Sequence, residues 1–133
     1  MENGESNNKP VSVRYMVNNV DESIAFYANM LGFRVEMYSA EEIAILAREN
    51  LRFLLSKPSG RGGGGQGMPD GTIQTPGGWN RFEIEVNDLE EEVGRLKDAG
   101  YSFRNEIVKG VGGKQILLND LSGNIIELFE YYE

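Results

Sequence analysis

The stretch W-N-R-F-E-I-E-V, residues 79–86, alternates apolar and charged positions with a period of two. Phe82, Ile84 and Val86 fall on one side of a predicted strand; Trp79, Arg81, Glu83 and Glu85 fall on the other. An earlier run, V-S-V-R-Y-M-V at 11–17, reads as a strand too. A helical pattern follows each. Asn19 or Asp21 can cap a helix over 22–31 with Ile24, Phe26, Tyr27 and Leu31 on its apolar side, and Gly32 is placed to end it. L-E-E-E-V-G-R-L-K-D-A-G sets Leu89, Val93 and Leu96 on one side of a second helix, with Gly100 past its end. Further strands are predicted at 33–38, 42–47 and 51–56, and again at 101–108, 114–119 and 124–131.

The order of elements therefore occurs twice. V-N-N-V-D-E-S-I (17–24) lies over V-N-D-L-E-E-E-V (86–93) at an offset of 69 residues, which matches Val13 to Phe82, Tyr15 to Ile84 and Ile24 to Val93. Both halves read βαβββ. Neither half is long enough to bury a good core alone, so the two are expected to pack together within the chain or across a dimer. The chain divides into a polar, disordered tail (1–10), a first module (11–56), a loop (57–78) and a second module (79–133). The loop holds most of the Gly and Pro and lacks both G-x-x-x-x-G-K-[ST] and a strand-framed G-x-G-x-x-G. It reads as a hinge or lid, not a phosphate cradle.

Composition narrows the chemistry. A length of 133 residues with 40% hydrophobic content fits one compact domain or two small halves sharing a core. The net charge of −8 argues against a nucleic-acid partner, which needs a basic surface. It is compatible with a cationic small ligand, or with solubility alone. There is no Cys, hence no disulfide, thiolate metal site or Cys nucleophile. There is no His either, which removes the usual general base, Ser-His-Asp and Cys-His catalysis, and zinc sites built on His or Cys. No run approaches the roughly 20 apolar residues of a membrane span. The opening M-E-N-G-E-S-N-N-K-P lacks the basic and apolar regions of a signal peptide, so a cytoplasmic protein with no membrane partner is expected.

Three stretches carry a family resemblance: V-N-N-V-D-E-S-I-A-F-Y-A-N-M-L-G-F, F-E-I-E-V-N-D-L-E-E-E-V and D-L-S-G-N-I-I-E-L-F-E. Over residues 11–131 the sequence resembles the vicinal oxygen chelate superfamily of glyoxalase I, bleomycin-resistance proteins and extradiol dioxygenases. The resemblance implies an α+β fold of two tandem βαβββ modules. These would form an open, incompletely closed β-sheet cleft with helices on the outer face, commonly in a homodimer. Phe82, Ile84 and Val86 would then lie against a helix, and Arg81, Glu83 and Glu85 would look into the cleft. In metal-dependent members four cleft positions hold the metal, and they fall here on Ser12, Leu54, Arg81 and Glu127. Only Glu127 keeps a ligand-type side chain, so no metal and no cofactor are expected.

The candidate ligand-binding residues are Trp79, Arg81, Glu83, Glu127, Phe129 and Arg14. Arg81 and Glu127 can form a cleft ion pair in place of a metal, or Arg81 can receive an anionic group on a ligand. Arg14 and Met16 share the matching face of the first strand with Glu83 and Glu85, and Arg14 can neutralise Glu83. An oxygen-only Mg²⁺ or Ca²⁺ site from Glu83, Glu85 and Glu127 is the remaining metal option. Trp79 can stack on a ligand or pin the loop to the sheet edge; Tyr101 and Phe103 are possible aromatic walls, and Arg104 can reach the cleft or lie on the surface. The triple Glu at 90–92 is an ordinary first helical turn. The expected function is a metal-independent small-molecule binding protein of the glyoxalase/bleomycin-resistance type. The alternatives are a lyase or dioxygenase-like enzyme with a reassigned or oxygen-only metal site, and a regulatory dimer with a filled, vestigial cleft.

Overall fold

The computed structural model of the chain describes residues 9–39, 41–58 and 63–133. Most of the polar tail expected over 1–10 lies outside these residues. The elements run β1 (Ser12–Met16), α1 (Val20–Leu31), β2 (Arg34–Ser39), β3 (Ile43–Arg48), β4 (Leu51–Ser56), β5 (Phe82–Glu85), α2 (Leu89–Asp98), β6 (Val108–Lys109), β7 (Gly113–Asn119) and β8 (Ile125–Tyr131). The βαβββ order occurs twice. The sheets have matching orders, β1-β4-β3-β2 and β5-β8-β7-β6, and in each the first strand pairs parallel to the last.

Local chemistry accounts for the helix ends. Asn19 is extended, and its side chain accepts a hydrogen bond from the Glu22 amide, satisfying a donor that the helix itself cannot. Gly32 ends α1 at φ 75°, a left-handed turn that a side chain would strain. Asp88 caps α2 through the Glu91 amide in the same way.

Two strand expectations were too long. Residues 79–81 lie outside β5, which begins at Phe82. Residues 101–108 do not form a strand: Phe103 makes a single bridge to Leu118, and only Val108 and Lys109 pair with β7. The cause is packing. The Tyr101 ring turns inward against Phe26 at 5.1 Å, and the Tyr101 amide closes the end of α2 on the Leu96 carbonyl, so the alternation that a strand requires is broken. Tyr101 and Phe103 are therefore partners of the core and not walls of a cleft.

One hydrophobic core runs through both modules. Phe26, Tyr27, Phe53, Leu55, Ile116, Ile126 and Leu128 are all almost fully buried in it. Burying each such side chain contributes about 1.5–3 kcal/mol. Phe82 of the second module sits within 5.0–6.0 Å of the rings of Phe53, Tyr15 and Phe33 of the first. Arg95 of α2 donates to the Met30 carbonyl near the end of α1 at 2.6 Å. The turn Asp120–Asn124, between β7 and β8, adds a polar seam. Asp120 accepts from the Tyr27 hydroxyl, from both nitrogens of Asn124 and from the Ser122 amide. Asn124 also donates to the Met16 carbonyl.

The helix-facing side of each sheet is thus consumed by the core, and the other side stays open. Register assigns that open side. Arg14, Leu54, Ile45 and Met37 stand in one row across the first sheet, and Glu83, Glu127 and Leu117 in one row across the second. Phe82, Ile84 and Val86 pack on the core. The loop after β4 has no helix or strand among its described residues, yet it is tied down. Gly63 accepts from the Ser56 hydroxyl, Gln74 donates to the Gly64 and Gln66 carbonyls, and the Gly77 amide donates to Asn124. Gly64 lies directly against the Arg14 guanidinium at φ +84°, so the loop crosses the open face of the first sheet.

Candidate functional site

Arg81 and Glu127 meet. Arg81 Nε lies 2.9 Å from Glu127 Oε1, with the carboxylate side chain 11% exposed and the guanidinium side chain 28%. Two features of the local sequence produce this. Parallel pairing of β5 with β8 sets Glu127 beside Glu83 on the open face, and Arg81, one residue before the strand, reaches over from the adjacent edge. Glu127 is held away from bulk water, so the nearby cation offsets much of its desolvation.

Trp79 stays at the surface, 67% exposed, and its carbonyl accepts from Arg81 Nη1 at 3.3 Å. The Arg104 guanidinium stacks 4.9 Å from the indole centroid and donates to Asn119 Oδ1. Arg104 thus belongs to this end of the open face. Its sequence context, Y-S-F-R-N-E, offered no signal beyond the charge.

The other candidates are distributed differently from the expectation. Glu83 accepts from the Tyr131 hydroxyl at 2.7 Å, which raises the Tyr131 pKa because the phenol shares its proton with a carboxylate. Phe129 packs on Tyr131 with ring centroids 4.4 Å apart, half-buried on the same face. Arg14 donates to the Ser56 hydroxyl at 3.0 Å on the first sheet. The expected pairing of Arg14 with Glu83 is therefore replaced by two local contacts, each within its own module.

The metal positions can be tested on their donors. Ser12 is exposed on the edge strand, and Leu54, beside Arg14 in the register, offers no donor atom. Arg81 brings a cation to within 2.9 Å of Glu127, the one carboxylate of the set. Residues of this kind do not fit a divalent ion. The oxygen-only option fares no better, because Glu83 and Glu127 are committed to Tyr131 and Arg81. Among the described residues the acidic trio with ligand atoms close enough together is Asp88, Glu90 and Glu130. Lys114 Nζ already fills it, 2.8 Å from both Glu90 oxygens and 3.8 Å from Glu130. That contact lowers the Glu90 pKa and raises that of Lys114.

Two phenols are buried within the core. Tyr15 donates to the Ile125 carbonyl and accepts from the Phe82 amide, and burial pushes its pKa up to about 12. Burial raises Tyr27 further, reinforced by the negative charge of Asp120.

Two cavities of about 450 and 460 Å³ lie elsewhere, along the seam between modules. Arg48, Ile84, Glu85 and Asn87 line both, and neither includes Trp79, Arg81 or Glu127. Volume and chemistry therefore point to different places. An open sheet face encloses little volume by itself, so its charged and aromatic side chains mark it where no cavity does. Among the described residues no helix is long and apolar enough to cross a membrane.

Comparison with known proteins agrees with the architecture. Residues 9–128 match the family model of the Glyoxalase/Bleomycin resistance protein/Dioxygenase superfamily. No curated protein matches the sequence. Among solved structures, a member of that superfamily from Sphaerobacter thermophilus DSM 20745 superposes with a TM-score of 0.73 at 21% identity, covering 92% of this chain and 98% of that one. TnmS3, an antibiotic binding protein from Streptomyces sp. CB03234, gives 0.72 at 17% identity over 96% and 100%. A lactoylglutathione lyase from Agrobacterium tumefaciens gives 0.70 at 16% identity over 94% and 96%. At such identities the likeness is one of fold.

Proposed function

The chain belongs to the Glyoxalase/Bleomycin resistance protein/Dioxygenase superfamily, and within it we propose a metal-independent small-molecule binding protein. Its ligand lies on the open face of the second sheet, against Trp79, Arg81, Glu83, Glu127 and Phe129. Arg14 contributes from the first sheet, and the working form is a homodimer. The observation that carries this reading is the Arg81–Glu127 contact at 2.9 Å. A cation occupies the neighbourhood in which a metal-dependent relative would need ligands, and Leu54 removes another donor. The antibiotic-binding relative shares the fold, which makes a binding role for such a scaffold reasonable. An enzymatic role would need a base held beside Arg81; Glu127 there is already its ion-pair partner, Glu83 accepts from Tyr131, and Glu85 is exposed to solvent.

Trp79 is the sole tryptophan, so its fluorescence reports this face alone. A small-molecule library titrated against the protein should give saturable changes in Trp79 emission that survive EDTA. Binding that appears only after a divalent metal is added would overturn the reading, and so would a library that leaves the emission unchanged.

A further inference from the structure

Trp79 sits between two arginines that differ in one respect. Arg81 holds the Trp79 carbonyl at 3.3 Å, and Glu127 at 2.9 Å meets its charge. Arg104 stacks on the indole at 4.9 Å and donates to a neutral amide oxygen, Asn119 Oδ1, at 3.0 Å. Among the described residues no carboxylate pairs with Arg104. A guanidinium presents five donors in a fixed planar fork, and Asn119 engages Nη1. The indole is therefore largely exposed, beside a cation with unused donors.

From this geometry we propose that the ligand is a planar aromatic acid, its carboxylate taken by Arg104 and its ring laid against Trp79. This rests on the binding reading above and adds the ligand class. The chain as a whole is acidic, at −8, and repels anions at a distance. That repulsion fades over a Debye length of about 8 Å at physiological salt, whereas a fork contact acts at about 2.8 Å. Local contact therefore sets the preference, against the net charge.

Three probes of one shape test the proposal: 4-nitrobenzoate, 4-nitrobenzyl alcohol and 4-nitrobenzylamine, each titrated while Trp79 quenching is followed. The acid should bind about tenfold more tightly than the alcohol, the usual size of a charge-assisted contact. Arg104→Gln should erase that margin, so that the acid and the alcohol bind the variant equally, with circular dichroism confirming the fold. Arg104→Lys, which keeps the charge but not the fork, should fall between. If the amine or alcohol binds as tightly as the acid, or Arg104→Gln keeps the preference, the ligand class is wrong while the binding reading stands. If none of the three quenches Trp79, the aromatic-acid proposal is overturned, and the wider library decides the binding reading separately.

Discussion

The Tyr27 hydroxyl donates to Asp120 Oδ2 at 2.7 Å, joining α1 of the first module to the β7–β8 turn of the second. Both side chains are buried, and the same carboxylate also receives Asn124 and Ser122. Asp120→Ala should leave these donors unpaired inside the protein and lower stability by about 2–4 kcal/mol. Tyr27→Phe keeps the ring and the other donors, and should cost about 1–2 kcal/mol. Urea unfolding of the two variants measures the difference. Equal losses would mean that Asp120 acts through Tyr27 alone.

The Arg81–Glu127 pair should be asymmetric in its energetics. Removing Arg81 leaves the more buried partner uncompensated, whereas removing the charge of Glu127 leaves the more exposed one. Arg81→Met should cost about 1–3 kcal/mol, less than a fully buried pair because water reaches the guanidinium. Glu127→Gln should cost less than Arg81→Met. A double-mutant cycle in urea gives both values and their coupling, and a larger loss for Glu127→Gln would contradict the burial argument.

Alkaline pH should unfold the protein through its phenols. Tyr15 and Tyr27 hold their protons more tightly in the folded chain than in the unfolded one, where a phenol titrates near about 10. The native state then binds more protons. Stability from this source is complete below about pH 10 and is lost as pH rises through about 12, the value for Tyr15. Urea midpoints between about pH 8 and 12, followed alongside phenolate absorbance, test this. A midpoint that stays flat while the phenols ionise would rule it out.

Metal addition should leave stability unchanged. A ligand at 100 times its dissociation constant stabilises a protein by about 2.7 kcal/mol, which a melting curve resolves easily. Zn²⁺, Ni²⁺ and Mn²⁺ are expected to give no such shift. A saturable rise in melting temperature with any of them, abolished by Glu127→Gln, would mean that Arg81 can leave.

Among the described glycines of the loop, Gly65 is the one least able to accept a side chain. A Cβ there would collide with the Lys57 carbonyl, which is backbone and cannot turn aside. Gly65→Ala should cost about 2–4 kcal/mol, measured in urea, although the surrounding sequence reads as a tolerant linker. Gly71→Ala makes the contrast. Its Cβ meets nothing within 4 Å, so any cost there reflects the positive φ of 92° alone.

Periodicity was enough to read the repeat, both helices and most strands, because the core demands an apolar side from each element. Asn19 and Gly32 announced the ends of the first helix through capping chemistry that is local in sequence, whereas the Asp88 cap of the second emerged only in the structure. The 101–108 segment was misread because Tyr101 and Phe103 resemble strand residues until tertiary packing turns them inward. At the site, the Arg81–Glu127 contact was legible from the repeat and the family pattern together. Three partnerships were not: Glu83 with Tyr131, Arg14 with Ser56, and Lys114 among Asp88, Glu90 and Glu130. Each joins residues whose proximity depends on strand register, which no local signal encodes.

The first module turns from β3 into β4 over Glu49 and Asn50, while the second takes the longer Asp120–Asn124 turn. The longer turn carries the residues that fasten Tyr27, the Met16 carbonyl and the Gly77 amide. A chain built from two copies of the first half would have the same sheets and lack this fastening. Severing the chain between the modules would leave Tyr27 and the Met16 carbonyl without the partners that this turn supplies, so each half is incomplete in its own polar seam.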